Sequence, residues 1–204
     1  PPMMTHIFEN NSGKRIIAAK GAAETIVTLC KLSEKELQTI KEANETIAHD
    51  GYRVLAVAES NFEGNQFPAT QQEFEFIFKG LVSFYDPPKK NITEVIQHFY
   101  TAGIDVKIIT GDSADTTLAI ANQVGFKNLN NILSGENLMK LSEQELQQKV
   151  LTTSIFYRTF PEAKLKIINA LKASGQIVAM TGDGINDGPA LKAAHIGIAM
   201  GNRG

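Results

Sequence analysis

The sequence lacks features that several large classes of protein require. Its 204 residues hold a single cysteine, Cys30, so an internal disulfide is excluded and a reducing compartment is favoured. No apolar run approaches the ~20 residues of a membrane-spanning helix, and residues 1–4 show no basic-then-apolar leader pattern. The net charge of -2 comes from intermixed basic and acidic residues, which argues against the basic stripe of a nucleic-acid-binding surface. A soluble piece with one good core or two small ones is expected.

The most informative stretch that is present is an acidic, glycine-rich loop at 180–187, which reads Met-Thr-Gly-Asp-Gly-Ile-Asn-Asp. It follows an apolar, strand-like run and precedes a helix-like segment. Two carboxylates, Asp183 and Asp187, lie close together there, with the amide of Asn186 between them. Because Mg²⁺ prefers carboxylate and phosphate oxygens, the loop predicts a magnesium and phosphate site. The alternative is a glycine-rich turn with an aspartate that caps the following helix.

Strand-like and helix-like segments alternate along most of the chain. The predicted strands are 15–19, 52–58, 74–84, 104–109, 154–157, 176–180 and 196–200. The predicted helices are 25–29, 33–49, 88–102, 113–124 and 161–173. This alternation predicts an α/β fold with a Rossmann-like, mostly parallel sheet that has helices on both faces. The character of the chain changes near residue 75, and the polar segment 61–72 is the best candidate for a linker.

A second Thr-Gly-Asp motif, at 110–112, also follows a predicted strand. Ligands of parallel sheets bind beyond the carboxyl ends of the strands, so this motif and the loop at 180–187 are expected to meet at one site. The Thr110 hydroxyl and the Gly111 amide could hold a phosphoryl oxygen. Alternatively, Thr110 and Asp112 merely cap the helix that follows.

Three cations stand out by their positions. Lys164 lies in the first turn of a predicted helix that starts at Pro161, where a cation is unfavourable unless an anion is close. A phosphate or Asp187 would supply that anion; the alternative is an exposed lysine. Lys20 and Arg53 lie beside apolar segments and could serve a nucleotide, although each could equally be an ordinary surface charge.

Taken together, these motifs resemble the cytoplasmic part of P-type cation-transporting ATPases, within the haloacid-dehalogenase-like superfamily. The resemblance covers essentially the whole chain and rests on motifs in the family's order. They are Lys20-Gly21-Ala22-Ala23-Glu24, Asp86-Pro87-Pro88-Lys89, Thr110-Gly111-Asp112, Arg158…Pro161…Lys164, the loop that begins at Thr181, and the segment from Ala194 to Gly201. The combination is closer to pumps of the Ca²⁺, Na⁺/K⁺ and H⁺ type than to heavy-metal pumps.

The resemblance implies a role for each matching residue. Asp183 would bind Mg²⁺, Lys164 would neutralise the charge of a phosphoryl group, and Asp187 would help to order the site. The residues implied to contact the phosphoryl group are Thr110, Gly111 and Asn186. The residues implied to bind or place ATP are Lys20, Arg53, Asp86, Lys89 and Asp112. Mg²⁺ and ATP are the expected cofactors.

The resemblance also implies a domain plan and an activity. Residues 1–73 would be the C-terminal part of a smaller α+β nucleotide-binding domain, and residues 74–204 the C-terminal portion of a phosphorylation domain. The parent would be an ATP-driven cation pump in the membrane, with these domains on its cytoplasmic face. The family phosphorylates an aspartate within Asp-Lys-Thr-Gly-Thr, which does not occur here. The acceptor strand and the membrane domain are therefore expected partners, and the isolated chain is expected to be inactive.

Two alternatives share some of these motifs: a soluble haloacid-dehalogenase-like phosphatase, and a catalytically silent nucleotide- or Mg²⁺-binding module. The sequence also departs from the pump pattern in four places. Ala23 stands where proline is usual, His195 where aspartate is usual, Gly188 where alanine is usual, and Phe160 where a smaller or β-branched residue is common. His195, Gly188 and Phe160 are expected to be tolerated, although His195 could weaken packing or a local hydrogen bond.

Overall fold

The structure is a computed structural model, and it describes residues 3–63, 66–182 and 185–200. The chain divides into two compact units between Pro87 and Pro88. In the described part of the chain, no helix is both long and apolar enough to cross a membrane.

The first unit is built on a four-stranded antiparallel sheet. Its strands, in spatial order, are β1 (Met3–Glu9), β2 (Arg15–Gly21), β3 (Arg53–Phe62) and β4 (Ile77–Phe84). Two helices pack against this sheet, α1 (Ala23–Thr28) and α2 (Glu34–His49). Side chains alternate between buried and accessible along β2, as expected for a sheet with one covered face. The core of the unit therefore lies between that covered face and the helices, around Ile17, Ile26, Ala56 and Ala58.

Helix α2 begins with the capping box that its sequence predicts. The Ser33 side chain accepts from the Glu36 N–H, and the Glu36 carboxylate accepts from the Ser33 N–H at 2.8 Å. These hydrogen bonds from the Ser33 hydroxyl and backbone lower the pKa of Glu36. The helix ends at His49, and Gly51 takes a φ of 84°, which only glycine adopts readily.

The border between the units differs from the one that the sequence suggested, between residues 73 and 74. Strand β4 pairs with β3 along its length, so it belongs to the first unit. The segment 61–72 is therefore not a linker between units but part of the β3–β4 connection. Among its described residues, the Phe62 and Phe67 rings stack with their centroids 5.0 Å apart.

The second unit contains parallel strands covered by helices. Three strands form one sheet in the order β5 (Ile108–Ile109), β7 (Ile155–Tyr157) and β6 (Ile132–Ser134). A further parallel pair is β8 (Ala179–Gly182) with β9 (Ile196–Ala199). The helices are α3 (Ile92–Thr101), α4 (Ala114–Gln123), α5 (Gly135–Met139), α6 (Glu143–Thr152), α7 (Pro161–Ala173) and α8 (Gly188–Ala193).

Strand β7 shows why this sheet has two cores. Ile155 and Phe156 are both fully buried, and successive side chains of a strand point to opposite faces. Phe156 packs with Leu138, Val150 and Ile167, from α5, α6 and α7. On the other side, Ile155 packs in the cluster that contains Ile96, Ala121 and Phe126, which α3, α4 and the residues after α4 supply. The predicted α/β fold, with a parallel sheet and helices, is confirmed.

Several boundaries in the second unit differ from the predicted ones. Helix α3 begins at Ile92 rather than at Pro88, because Lys89 and Lys90 place two cations where a helix N-terminus disfavours them. The predicted strand 104–109 shortens to two paired residues. Strands β1 and β6 and helices α5 and α6 were not predicted. Helix α6 carries its own signal, a second capping box formed by Ser142 and Glu145.

The central position of β7 leads to a stability prediction. We expect Phe156→Ala to lower the free energy of unfolding of the second unit by about 3–5 kcal/mol, because it leaves a cavity where a fully buried side chain was. Leu151→Ala, on the neighbouring helix, removes a side chain that is 45% exposed and should cost well under half of that. Urea denaturation of both variants measures their free energies of unfolding. An equal loss of stability in the two variants would contradict this description of the core.

Candidate functional site

The Thr-Gly-Asp motif at 110–112 forms a closed turn at the end of β5. The Thr110 N–H still donates to the Phe156 carbonyl at 2.9 Å, so the strand pairing extends to this residue. Its hydroxyl then accepts from the Asp112 N–H and donates to Asp112 Oδ2, both at 3.1 Å. The N-cap of α4 is Ser113, whose side chain accepts from the Thr116 N–H at 3.3 Å. The alternative that Thr110 and Asp112 cap this helix is therefore wrong.

A buried ion pair joins α7 to the loop after β8. Lys164 Nζ donates to Asp187 Oδ1 at 2.6 Å, and the two side chains are 16% and 8% exposed. The alternative of an exposed lysine is thus wrong, and an anion does lie beside this cation near the helix N-terminus. A buried carboxylate needs such a partner, because an unpaired buried charge is costly.

Asp187 can approach the end of β8 only because residue 182 is glycine. A Cβ atom on Gly182 would lie 2.7 Å from Asp187 Oδ2 and 2.9 Å from its Cβ, which is too close for real atoms. Asp187 occupies the N-cap position of α8 but makes no side-chain capping bond. The alternative of a simple capping aspartate is therefore wrong, since the described bond of its carboxylate goes to Lys164.

The predicted meeting of the two strand-end motifs is supported by a shared anchor. Residues 159–164, at the start of α7, contact both of them. Thr159 donates to the Thr110 carbonyl, from its N–H at 2.9 Å and from its hydroxyl at 2.8 Å, while Lys164 holds Asp187. Thr159 was missed in the sequence because a threonine before a helix carries no pattern that reveals a partner 49 positions away.

The expected metal ligand, Asp183, lies outside the described residues, as does Gly184. Asn186 is exposed in a 3₁₀ turn, Ile185–Asp187, and Gly111 is exposed within its turn. In the described ranges, no group of three or more His, Cys, Asp or Glu side chains could hold a metal ion. The hydroxyl and carboxylate oxygens around these two loops nevertheless suit Mg²⁺, which usually takes one or two carboxylates and completes its shell with phosphate oxygens and water.

In the first unit, Lys20 lies on the face of the sheet opposite the core. Its cross-strand neighbours are Met4 on β1 and Val57 on β3, and Val57 lies opposite Gly80 on β4. A Cβ atom on Gly80 would meet nothing within 4 Å, so this row ends in open space. Arg53 lies four residues before Val57 on β3 and is exposed. The row is thus mostly apolar and carries one ammonium group, a composition that suits a planar ring.

Asp86 and Lys89 follow β4 in a segment without helix or strand. Asp86 belongs to the first unit, and Lys89 is the second residue of the second unit. Both are exposed, so neither is held in place by burial.

Two departures from the pump pattern fit their positions. His195 Nδ1 accepts from the Val178 N–H at 3.1 Å, while the His195 and Ile196 N–H groups donate to the Val178 carbonyl. His195 therefore makes a local hydrogen bond between the segments that lead into β8 and β9. A Cβ atom on Gly188 would meet nothing within 4 Å, so alanine would also fit there.

Known proteins resemble this chain over most of its length. The calcium-transporting ATPase 1 of Yarrowia lipolytica is 36% identical over 99% of this chain and 23% of that protein. The human calcium-transporting ATPase type 2C member 1 is 36% identical over 91% of the chain and 20% of its own length. The probable cation-transporting ATPase F of Mycobacterium bovis is 37% identical over 93% and 22%. The chain thus spans between 20% and 23% of the length of these relatives.

These identities confirm the predicted resemblance to P-type cation-transporting ATPases. A model of haloacid dehalogenase-like hydrolases matches residues 12–195. Because that match takes in most of the chain, the protein belongs to the haloacid dehalogenase-like hydrolase family.

Proposed function

We propose that this chain is part of an ATP-driven cation pump that forms an aspartyl-phosphate, and that the phosphorylated aspartate lies outside these 204 residues. The observation that carries the proposal is the buried pair of Lys164 and Asp187, beside the Thr110 turn. Phosphoryl transfer is catalysed mostly by positioning and by fixed charges, and this arrangement supplies both. The names of the relatives, calcium- or cation-transporting ATPases, support the same activity.

In this proposal each residue at the strand ends has one task. Lys164 neutralises charge on the phosphoryl oxygens, and Asp187 holds the lysine in the orientation that permits it. Gly111 and Asn186 donate hydrogen bonds to the phosphoryl group, and Thr110 does the same once its hydroxyl turns away from Asp112 Oδ2, to which it donates in this structure. Asp183 is the proposed ligand of Mg²⁺, which when bound would neutralise further charge on the phosphoryl oxygens.

The first unit is proposed to be part of a nucleotide-binding domain, and the second to be part of a phosphorylation domain. The row of Met4, Lys20, Val57 and Gly80 would take the adenine ring, because its apolar surface and open end suit a planar base. Arg53 would reach the phosphates of ATP. Asp86 and Lys89, on the connection between the units, and Asp112, at the phosphate turn, would help to place the nucleotide. The parent protein would lie in the membrane, with both units on its cytoplasmic face.

The pairing of the parallel strands supports a missing acceptor strand. Within the described residues, β5 pairs only with β7 and β8 pairs only with β9, so each leaves one edge unpaired. An unpaired edge is a template for another strand. We place the strand with the acceptor aspartate at these edges, because the proposed phosphate-binding loops follow the same two strands.

The role of Asp183 can be tested in the full-length protein that contains this chain. We expect Asp183→Asn to abolish Mg²⁺-dependent phosphoenzyme formation, because a charged metal ligand is lost. Acid-stable labelling from radiolabelled ATP measures the phosphoenzyme. The matched control is Asp105→Asn, which removes only a surface ion pair with Lys107 and should label normally. Normal labelling of Asp183→Asn would refute the metal role.

The isolated 204-residue chain provides a second test, which also separates the alternatives. We expect no ATP hydrolysis and no hydrolysis of a small phosphate ester, because the nucleophile is absent. Hydrolysis of the ester that is lost in Asp183→Asn would instead favour a haloacid-dehalogenase-like phosphatase. If the full-length protein also forms no phosphoenzyme while the chain binds nucleotide, the binding module is favoured.

The two glycines that flank the acidic turn make a matched pair of variants. Gly182→Ala should reduce phosphoenzyme formation by the full-length protein on the order of 100-fold, since the new methyl group displaces Asp187 and with it Lys164. Gly188→Ala adds the same methyl group in open space and should change the level of phosphoenzyme by less than about twofold. Circular dichroism checks that both variants fold, and equal effects would contradict the described contact.

A further inference from the structure

The Thr110 carbonyl is held by one residue through two hydrogen bonds. Thr159 donates to it from the backbone N–H at 2.9 Å and from the hydroxyl at 2.8 Å. Thr159 is only 7% exposed, so its hydroxyl has little access to water, and the bond to Thr110 satisfies it. The side chain thus adds to the backbone bond a second, separately removable restraint on the same oxygen.

That oxygen belongs to the peptide group whose N–H is that of Gly111. A trans peptide is planar, and its C=O and N–H point in opposite directions. Fixing the Thr110 carbonyl on Thr159 therefore aims the Gly111 N–H away from Thr159. Two donors on the carbonyl also polarise the peptide, which strengthens its N–H as a donor.

Thr159 is itself held from three sides. The preceding Arg158 has a left-handed φ of 49°, and its N–H donates to the Asp112 carbonyl at 2.9 Å. On another side, a Cβ atom on Gly135 would lie 2.5 Å from the Arg158 carbonyl oxygen and 3.0 Å from Thr159 Cα. The Thr159 carbonyl oxygen would in turn be 3.4 Å from a Cβ on Gly111. The segment 158–159 therefore has little freedom to follow a displaced turn.

We propose that Thr159 is a positioning residue of the phosphate site, and that its paired hydrogen bonds to the Thr110 carbonyl keep the Gly111 N–H directed at a bound phosphoryl oxygen. The inference rests on the proposed function, because it takes Gly111 as a phosphoryl contact. It adds a residue to the site that touches neither phosphate nor metal and acts only through the Thr110–Gly111 peptide.

The test uses inorganic phosphate as the probe and the Gly111 amide as the reporter. Phosphate is titrated, with Mg²⁺ present, into the ¹⁵N-labelled 204-residue chain, and the shift of the Gly111 amide signal gives the affinity. We expect Thr159→Val, which keeps the shape but removes the hydroxyl, to bind phosphate roughly fivefold more weakly, as the loss of one hydrogen bond would give. Thr159→Ser, which retains the hydroxyl, should bind within about twofold of the unchanged chain.

A matched control separates positioning from general loosening of the fold. Thr153 is also buried, and its hydroxyl donates to the Lys149 carbonyl at 2.9 Å, at the opposite end of β7. Thr153→Val should lower stability as Thr159→Val does but leave phosphate affinity unchanged. The proposal is overturned if Thr159→Val binds phosphate as tightly as the unchanged chain does. It is also overturned if Thr153→Val loses as much phosphate affinity as Thr159→Val, or if the Gly111 amide signal of the unchanged chain does not respond to phosphate.

The pump role is judged by a different measurement, phosphoenzyme formation by the full-length protein. If that protein forms no phosphoenzyme while the Gly111 amide still responds to phosphate in a Thr159-dependent way, the pump role fails and the positioning role stands. If phosphoenzyme forms normally but Thr159→Val binds phosphate like the unchanged chain, only the positioning role fails.

Discussion

The pair of Lys164 and Asp187 is the constraint on which the rest of the site depends. Both side chains are largely withdrawn from water, and removing one partner of a buried pair typically costs about 3–5 kcal/mol. The pair therefore ties the start of α7 to the loop after β8 more firmly than an exposed pair would. The position of Asp187 in this pair also restricts which residue can stand at position 182, because any side chain there would collide with Asp187.

The two units present their candidate binding surfaces in different ways, and the type of sheet explains the difference. The parallel strand β7 is buried on both faces by helices, so only the ends of such strands remain open to a ligand. The residues proposed to bind phosphate accordingly lie in the turns that follow strands. The antiparallel sheet of the first unit has helices against one face, and its other face carries Lys20 among apolar neighbours. A flat ring suits that face, whereas a compact, charged group suits the strand ends.

Local patterns in the sequence predicted the parts of the fold that local chemistry determines. Helix α7 begins at Pro161 and ends at Ala173 as predicted, because proline favours the first helical position. The capping box of α2 was predicted for the same kind of reason. The border between the units was predicted too early in the chain. Its position depends on the pairing of β4 with β3, which the sequence of a single strand does not encode. Thr159 was missed likewise, since its partner, Thr110, lies 49 positions away.

The arrangement of the site also indicates which groups of the proposed reaction this chain would supply and which would come from the rest of the pump. In the described residues, Lys164 already has its counter-charge and the Thr110 turn already has its anchor, without any acceptor strand. Charges that are positioned before the reaction need no reorganisation when the phosphoryl group arrives, which is the main source of electrostatic catalysis. A strand that brings only the acceptor aspartate would therefore complete the site by pairing at the edges of β5 and β8 that no described strand occupies. On this view the chain supplies the electrostatic surroundings of the reaction, and the acceptor comes from elsewhere.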